Sequence, residues 1–473
     1  MVEVEIPLPV RKILTTVTKN NHEIYIVGGI VRDLLLKKKG LDWDFTTSAK
    51  PKIINALFKD SFYDNKFGTV GVPDPNNRKG FLGRPLVYEI TTFRTESSYS
   101  NQRHPDKVKW GKTLKQDLLR RDFTVNAIAL KPKIPSKPLK TKIWPMEIFD
   151  PLEGQKDLKA KLLRAVGNPQ KRFEEDALRL IRAVRLATQL EFEIEAKTLL
   201  AIKKNASSIK KISWERIRDE FLKMLAFPHA DQGYSLLRQA GIAKIILPEV
   251  EKGFGIEQKS PNRHHIYDVG THATYSLKHC KSKDPIVKLA ALIHDVGKPE
   301  VASKDPSGTI TFYNHEMVGA VVARNIGKRF KLPKKEQERL IKLVRWHQFS
   351  VDERQTDKAI RRFIRNVGQE NLKDILCVRI ADRLGGGAKE TSWRLERFKK
   401  KLIEVQKQPF SVKDLKVNGD DIMKALNLKP GPLIGQVLNK LFEEIEEDQK
   451  KNQRTYLLKR AREIKQALAD SIN

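Results

Sequence analysis

The sequence predicts a small α/β domain followed by several helical modules, and three observations predict it. The chain has 473 residues, too many for one hydrophobic core. Strand-like apolar runs and glycine turns are confined to about the first 150 residues. From Pro151 onward amphipathic helical patterns dominate, punctuated by Gly and Pro. With 40% hydrophobic and 32% charged residues the chain suits folded domains and is far too apolar to be disordered.

The elements follow in order. Residues 10–19 have helical spacing. Ile24-Tyr25-Ile26-Val27 reads as a short buried strand, stopped by Gly28-Gly29, with a helix from about Ile30 to Lys38. Two strands flank the turn-rich stretch 72–85, the second over 86–93. Residues 124–130 have helical spacing or open a strand. Residues 131–142 alternate Lys and Pro and read as a surface loop. Later breaks between helices fall near Asn205–Lys211, Gly253–Asn262, Gly385–Gly387 and Lys407–Ser411, and no repeat of fixed period is present.

Composition narrows the function. The charge sum is 91 − 58 = +33, which suits a polyanionic partner such as nucleic acid. No apolar run approaches the ~18 residues of a membrane span, so no membrane partner is expected. The N-terminus, MVEVEIPLPVRK, lacks a secretory pattern, and a cytoplasmic location is expected. Two cysteines, Cys280 and Cys377, exclude a disulfide scaffold and fit a reducing compartment.

Three groups of residues carry chemistry. In VGGIVRD (27–33) a strand meets a Gly-Gly turn and a helix, which lets the backbone approach a ligand such as phosphate. If Asp42 to Phe45 is extended, Asp42 and Asp44 point to one face. Such a pair is costly unless a cation neutralises it, and two Mg²⁺ ions about 3.5–4 Å apart are one solution. Glu89, in VYEIT, is the candidate third acid. Residues 174–187 read as one helix, with Asp176, Arg179, Arg182 and Arg185 recurring every three residues along a polar row. Cytosine and adenine both present an amino donor beside a ring-nitrogen acceptor, and uracil and guanine reverse that pattern. One Asp–Arg pair therefore suffices to tell the two kinds apart. Finally, His272, the His294-Asp295 doublet, His315, His347 and Asp382 form a His/Asp set that suits Mg²⁺, Mn²⁺ or a transition metal better than structural zinc.

The Gly-Gly turn, Arg32-Asp33 and Asp-x-Asp, taken together, resemble the head of the polymerase-β-like nucleotidyltransferase superfamily. More closely they resemble the bacterial-type (class II) CCA tRNA nucleotidyltransferases and their poly(A) polymerase relatives. TFRTESSYSNQRHPD (92–106) resembles that family's flexible loop, RRDFTVNAIAL (120–130) its ribose-selecting motif and RFEEDALRLIRAVR (172–185) its base-reading helix. LIHDVGKPE (292–300) and the surrounding histidines resemble an HD phosphohydrolase domain, and 425–447 the C-terminal region of HD-bearing relatives.

The resemblance implies an α/β polymerase-β-like nucleotidyltransferase head followed by all-α neck, body, HD and tail domains. The expected bounds are 1–150 for the head, 151–211 for the neck, 212–260 for the body, 261–390 for the HD domain and 391–473 for the tail. It implies that Asp42, Asp44 and Glu89 are catalytic, the two aspartates holding Mg²⁺. It implies nucleotide contacts from Gly28, Gly29, Arg32, Arg121, Asp122, Asp176 and Arg179, with Arg182 and Arg185 near the triphosphate or the RNA end. It implies metal ligation by His272, His294, Asp295 and Asp382, extended by His315 and His347 for a second metal, and a phosphate contact from Lys298. The implied partners are tRNA, CTP and ATP, and the implied reaction is building or repair of the tRNA 3′ CCA end. CC-only addition, A-only addition and poly(A) synthesis stay open, as does a metal phosphohydrolase whose head only binds RNA.

Overall fold

The computed structural model describes all residues except 39, 41, 64–67, 79–84, 98–106, 112, 134–141, 259–266, 350–351, 353–354, 407–411 and 471–473. The chain forms two compact units, one of residues 1–252 with 326–332, the other of residues 253–325 with 333–473.

The first unit begins with a mixed eight-stranded sheet in the order β1-β10-β9-β2-β3-β6-β5-β4. Its strands are β1 (Val2–Glu5), β2 (Ile24–Val27), β3 (Asp44–Thr47), β4 (Phe62–Tyr63), β5 (Thr69–Pro73), β6 (Val87–Thr92), β9 (Ala129–Pro132) and β10 (Ile143–Phe149). A separate antiparallel hairpin pairs β7 (Arg94–Ser97) with β8 (Lys107–Trp110). Among the described strands of the large sheet only β3 and β6 run parallel. Ile24, Tyr25, Ile26 and Val27 are all buried because β2 lies between β9 and β3 in mid-sheet. The Leu8–Lys19 helix buries Val10, Ile13, Leu14 and Val17, one stripe of a 3.6-residue period.

The sequence expectations meet this fold in most places. The strand at 24–27 and the helix after Gly28-Gly29 are present, the helix as Gly29–Leu35. Residues 124–130 do both things expected of them: a 3₁₀ turn at Thr124–Asn126, then the start of β9. Two expectations need correction. The loop expected at 92–106 contributes β7 at its start, and its residues 98–106 lie outside the described residues. Lys131 and Pro132, expected in the surface loop, end β9, and 134–141 lie outside the described residues. Part of the break at Gly253–Asn262, and all of that at Lys407–Ser411, also lie outside them.

Beyond the sheet the first unit is helical, including Pro169–Glu175, Leu178–Leu190, Ala196–Asn205, Trp214–Leu225 and Ala230–Gln239. In the second unit the Pro285–Ile293 helix is buried at every position, even at Lys288. It is apolar almost all round, as a central helix must be. Asp284 caps it by accepting from the Ile286 N–H, and Pro285 opens its first turn. The Val269–His279 and Leu372–Gly385 helices pack closely on each other. Among the described residues no helix is long and apolar enough to cross a membrane.

Gly385 sets the approach of those two helices. A Cβ there would lie 2.4 Å from Ser276 Oγ and 2.7 Å from its backbone N. Gly385→Ala is therefore expected to destabilise the second unit by about 1–3 kcal/mol through overpacking. Urea unfolding measures this as a lower midpoint with unchanged slope; an unchanged midpoint contradicts the close approach.

Candidate active site

The first site is built on the central strands β2, β3 and β6 of the head. Asp44 opens β3, and the parallel register sets it opposite Glu89 on β6. Asp42 is exposed just before the strand, while Trp43 and Phe45 are buried on the other face. The two-residue alternation thus brings Asp42, Asp44 and Glu89 to one side. Their charges oppose one another. Burial first, then Asp42 and Glu89, push the Asp44 carboxyl up to about 8, against the opposing charges of Arg121 and Arg182. A carboxylate cluster that cannot shed its charge repulsion fits a divalent cation, and Asp42 and Asp44 are the pair that would hold it.

Gly28 closes this site from the β2 side. Its φ is +81°, and a Cβ would lie 3.0 Å from Asp44 Oδ2 and 3.6 Å from Arg121 Nη1. Only glycine meets both conditions without strain. Gly29 begins the next helix, and Arg32 on it is buried, donating to Asn126 Oδ1 at 2.9 Å and to Asp33 Oδ1 at 2.7 Å.

The expected single helix over 174–187 is corrected to two. Pro169–Glu175 ends at Asp176, which is extended (φ −144°), and Leu178–Leu190 starts after it. The Asp176 carboxylate competes with helix continuation: Oδ1 accepts from the Leu178 N–H at 3.0 Å, capping the second helix. Asp176 therefore does not share a helical row with Arg179, Arg182 and Arg185. Nor is that row a solvated face. Arg179 is buried and donates to Glu175 Oε2 (2.5 Å) and to the carbonyls of Arg172 (3.0 Å) and Arg120 (3.3 Å). Arg182 forks onto Asp122 Oδ2 at 3.0 and 2.8 Å. Arg185 donates to Glu220 Oε2 at 2.6 Å and to Gln189 at 2.8 Å.

Asp122 is saturated by protein groups. Its other oxygen accepts from the Phe123 N–H and from Asn126 Nδ2. Burial raises its pKa, but the charge and hydrogen bonds of Arg182 prevail and hold the carboxyl well below the usual range. Arg121 pairs with the buried Asp117 at 3.2 Å. Two cavities result. One, of about 400 Å³, is lined by Asp44, Glu89, Arg121, Asp122, Asp176, Arg179, Arg182 and Arg216. The other, of about 360 Å³, is lined by Gly29, Arg32, Asp42, Asp44, Arg182 and Arg185. Asp44 and Arg182 belong to both.

Sequence reasoning missed Arg216 and Glu220. Arg216 donates to Asp176 Oδ2 at 2.8 Å, and Glu220 receives Arg185 and, at 3.5 Å, Arg182. Both stand on Trp214–Leu225, four residues apart. The available signal was Glu220 itself, an acid among the buried Ile217, Phe221 and Met224.

The second site lies in the second unit. The buried Pro285–Ile293 helix delivers His294 and Asp295 at its end. Asp295 Oδ2 lies 3.4 Å from His272 Nε2 and 3.2 Å from His294 Nε2, while Oδ1 lies 3.3 Å from His315 and 3.4 Å from His347. Asp382 Oδ1 is 3.2 Å from His272 Nε2. Burial disfavours the imidazolium, yet Asp295 and Asp382 push His294 up to about 10. Lys298 is buried and donates to Asp295 Oδ2 at 2.6 Å and to Gln258 at 2.8 Å. Imidazoles and carboxylates converging at buried positions fit a divalent transition metal, with His272, His294 and Asp382 or His294, Asp295 and His347 as the residues that would hold it.

The raised Asp44 gives a pH prediction for the first site. Below about pH 8 a cation must displace the Asp44 proton, so affinity should rise with pH and level off above it, at most tenfold per unit. In the metal-free protein the sign reverses for stability: a raised carboxyl costs folding free energy as pH climbs from about 4 to 8. Mn²⁺ titration of the full chain between roughly pH 6 and 9, with Asp44→Asn as control, measures the first effect. Affinity independent of pH refutes it.

Comparison with known proteins places these sites in a family. The Poly A polymerase head domain matches residues 24–164, the "Probable RNA and SrmB- binding site of polymerase A" matches 191–254, and "tRNA nucleotidyltransferase domain 2 putative" matches 310–461. A CCA-adding enzyme of Lactobacillus helveticus is 45% identical over 225 residues, 47% of this chain and 51% of that one, so the chain aligns with about half of that relative's length. A CCA-adding enzyme of Pediococcus pentosaceus is 31% identical over 95% of this chain and 96% of that one. An A-adding tRNA nucleotidyltransferase of Deinococcus radiodurans is 35% identical over 88% and 90%. The fold matches the Bacillus stearothermophilus CCA-adding enzyme solved with CTP, with a TM-score of 0.64 and 24% identity over 98% and 100% of the two chains. With full-length identity above 30% and a head and helical domains in the same order, this chain belongs to the family of bacterial-type tRNA nucleotidyltransferases and poly(A) polymerases.

Proposed function

We propose that this chain is a template-independent tRNA nucleotidyltransferase that builds or repairs the 3′ CCA end from CTP and ATP. The observation that carries this reading is one cavity lined by Asp44 and Glu89 together with Asp176 and Arg179. A transfer centre and a base-reading pair line the same space. In the reaction the tRNA 3′ oxygen bonds to the α-phosphorus, the bond to the bridging oxygen of the β-phosphate breaks, and pyrophosphate leaves. Mg²⁺ held by Asp42 and Asp44 would supply charge neutralisation and a more acidic 3′-hydroxyl. The protein's own groups do the rest. Arg121, and Arg182 held by Asp122, put positive charge beside the triphosphate, and Gly28 and Gly29 let it approach the backbone. The net charge of +33 supports phosphate contacts to tRNA.

Asp176 accepts from the base's amino group and Arg179 donates to its ring nitrogen. The structure supports this by anchoring both. Three of Arg179's N–H donors are engaged, which fixes its plane, and Arg216 and the Leu178 N–H fix the Asp176 carboxylate. The A-adding relative supports a second reading, in which the chain adds only the terminal A. The His/Asp cluster supports a separate metal-dependent hydrolysis of phosphoesters at RNA ends, with Lys298 near the metal ligands as the cation for phosphate.

Labelled CTP or ATP offered to tRNA lacking CCA tests the main reading and separates full from A-only addition. Asp42→Ala or Asp44→Ala should abolish addition of both nucleotides with tRNA affinity nearly unchanged. Asp295→Ala should remove metal-dependent hydrolysis and leave addition intact. Addition that survives loss of Asp44, or is lost in folded Asp295→Ala, refutes the assignment of the two sites.

Nucleotide choice gives a sharper test. Asp176→Asn keeps an acceptor for the Leu178 cap but turns the reading edge into a donor. C and A should be used less well, and UTP or GTP admitted. The shift in discrimination should reach roughly 5- to 150-fold, or about 1–3 kcal/mol. Single-nucleotide addition with each of the four triphosphates reads it, and an unchanged preference removes Asp176 from base selection.

A further inference from the structure

We propose that Cys280 and Cys377 form a reversible thiol–disulfide pair that staples the Val269–His279 and Leu372–Gly385 helices. The two sulfurs lie 3.8 Å apart although 97 residues separate them in the chain. Both thiols are free. Closure to an S–S bond of about 2.05 Å asks for a relative shift of under about 2 Å. Cys280 is buried directly after its helix, while Cys377 is partly exposed within the other. That asymmetry fits a division of labour in which the accessible sulfur reacts first and the buried one resolves.

The surroundings favour that order. The Cys377 thiol is held low, first by the hydrogen bond from Cys280, while burial opposes and the backbone N–H groups of Ser282 and Lys281 help. The Cys280 thiol is held high by its hydrogen bond to Cys377 and by burial, with the Lys288 cation opposing. Thiolate character therefore gathers on the exposed sulfur, which is where attack on an oxidant begins.

The oxidant is a low-molecular-weight disulfide. Cys377 thiolate attacks one of its sulfurs, forming a mixed disulfide and releasing one thiolate. Cys280 then attacks Cys377 Sγ, forming the internal disulfide and releasing the second. The protein loses two protons and two electrons, and the oxidant becomes two thiols. The helices joined are those that carry His272 and Asp382, so closure fixes the spacing of two groups that meet at 3.2 Å in the His/Asp cluster. The pair adds no scaffold to the reduced protein; it records thiol–disulfide poise in the unit that holds that cluster.

Oxidised glutathione added to the folded full-length protein tests this. Thiol titration should fall from two to none, the mass should fall by about 2 Da, and a peptide pair linked through Cys280 and Cys377 should appear on non-reducing digestion. Dithiothreitol should reverse all three. The oxidised protein should unfold at higher temperature than the reduced one. Cys280→Ser should stop at a stable glutathione adduct on Cys377, and Cys377→Ser should leave Cys280 unreacted. Two free thiols after oxidation of the wild type, a stable adduct on its Cys377, or a link only between separate molecules overturns the proposal. So does an unfolding temperature that oxidation fails to raise.

Discussion

The ion pair between Arg182 and Asp122 is the contact on which the first site depends. Arg182 belongs to the helix after the Asp176 break, and Asp122 to the segment between the head's hairpin and β9. From Asp122 the chain of bonds continues through Asn126 to Arg32 on the glycine-turn helix. From the other side Glu220 ties Arg182 and Arg185 to Trp214–Leu225, and Arg216 of that helix holds Asp176. Four segments distant in sequence are thus joined by partly or fully buried polar groups. Such a network is worth having only if every member is satisfied, since an unpaired ion in a dry interior is strongly destabilising.

Much of this was legible in the sequence because it follows local rules. The Gly-Gly stop after Ile24–Val27, the alternation of Asp42 and Asp44, and the choice of Glu89 on a neighbouring strand all rest on local strand signals, and the β3–β6 register sets Asp44 opposite Glu89. The His294-Asp295 doublet was legible as the centre of a His/Asp set, and it directly follows the wholly buried Pro285–Ile293 helix. The break at Asp176 was not legible. Periodicity continues across it, and the bonds of the Asp176 carboxylate to the Leu178 N–H and to Arg216 accompany the break. The partners of the arginine row were not legible for a different reason: its counter-charges, Asp122 and Glu220, lie 60 and 35 residues away. No local pattern announces a partner that tertiary folding supplies.

The two sites handle charge in opposite ways. At Asp42, Asp44 and Glu89 like charges accumulate, and burial together with Asp42 and Glu89 pushes the Asp44 carboxyl up. At the histidine cluster opposite charges meet. Asp295 and Asp382 are held well below the usual carboxylate range although burial opposes it, because His294 and its neighbours balance them. The first arrangement is a demand for positive charge from outside. The second is balanced within itself, and a metal entering it would have to compete with bound protons.

The helix break at Asp176 makes one carboxylate serve both folding and the cavity. One oxygen accepts from the Leu178 N–H, the other from Arg216, and the residue lines the cavity beside Arg179. Removing every acceptor there would loosen the start of the Leu178–Leu190 helix together with the cavity wall, whereas Asn keeps an acceptor for the Leu178 N–H and alters the polarity of the wall alone. Architecture and cavity chemistry are thus separable at a single position by the choice of substitution.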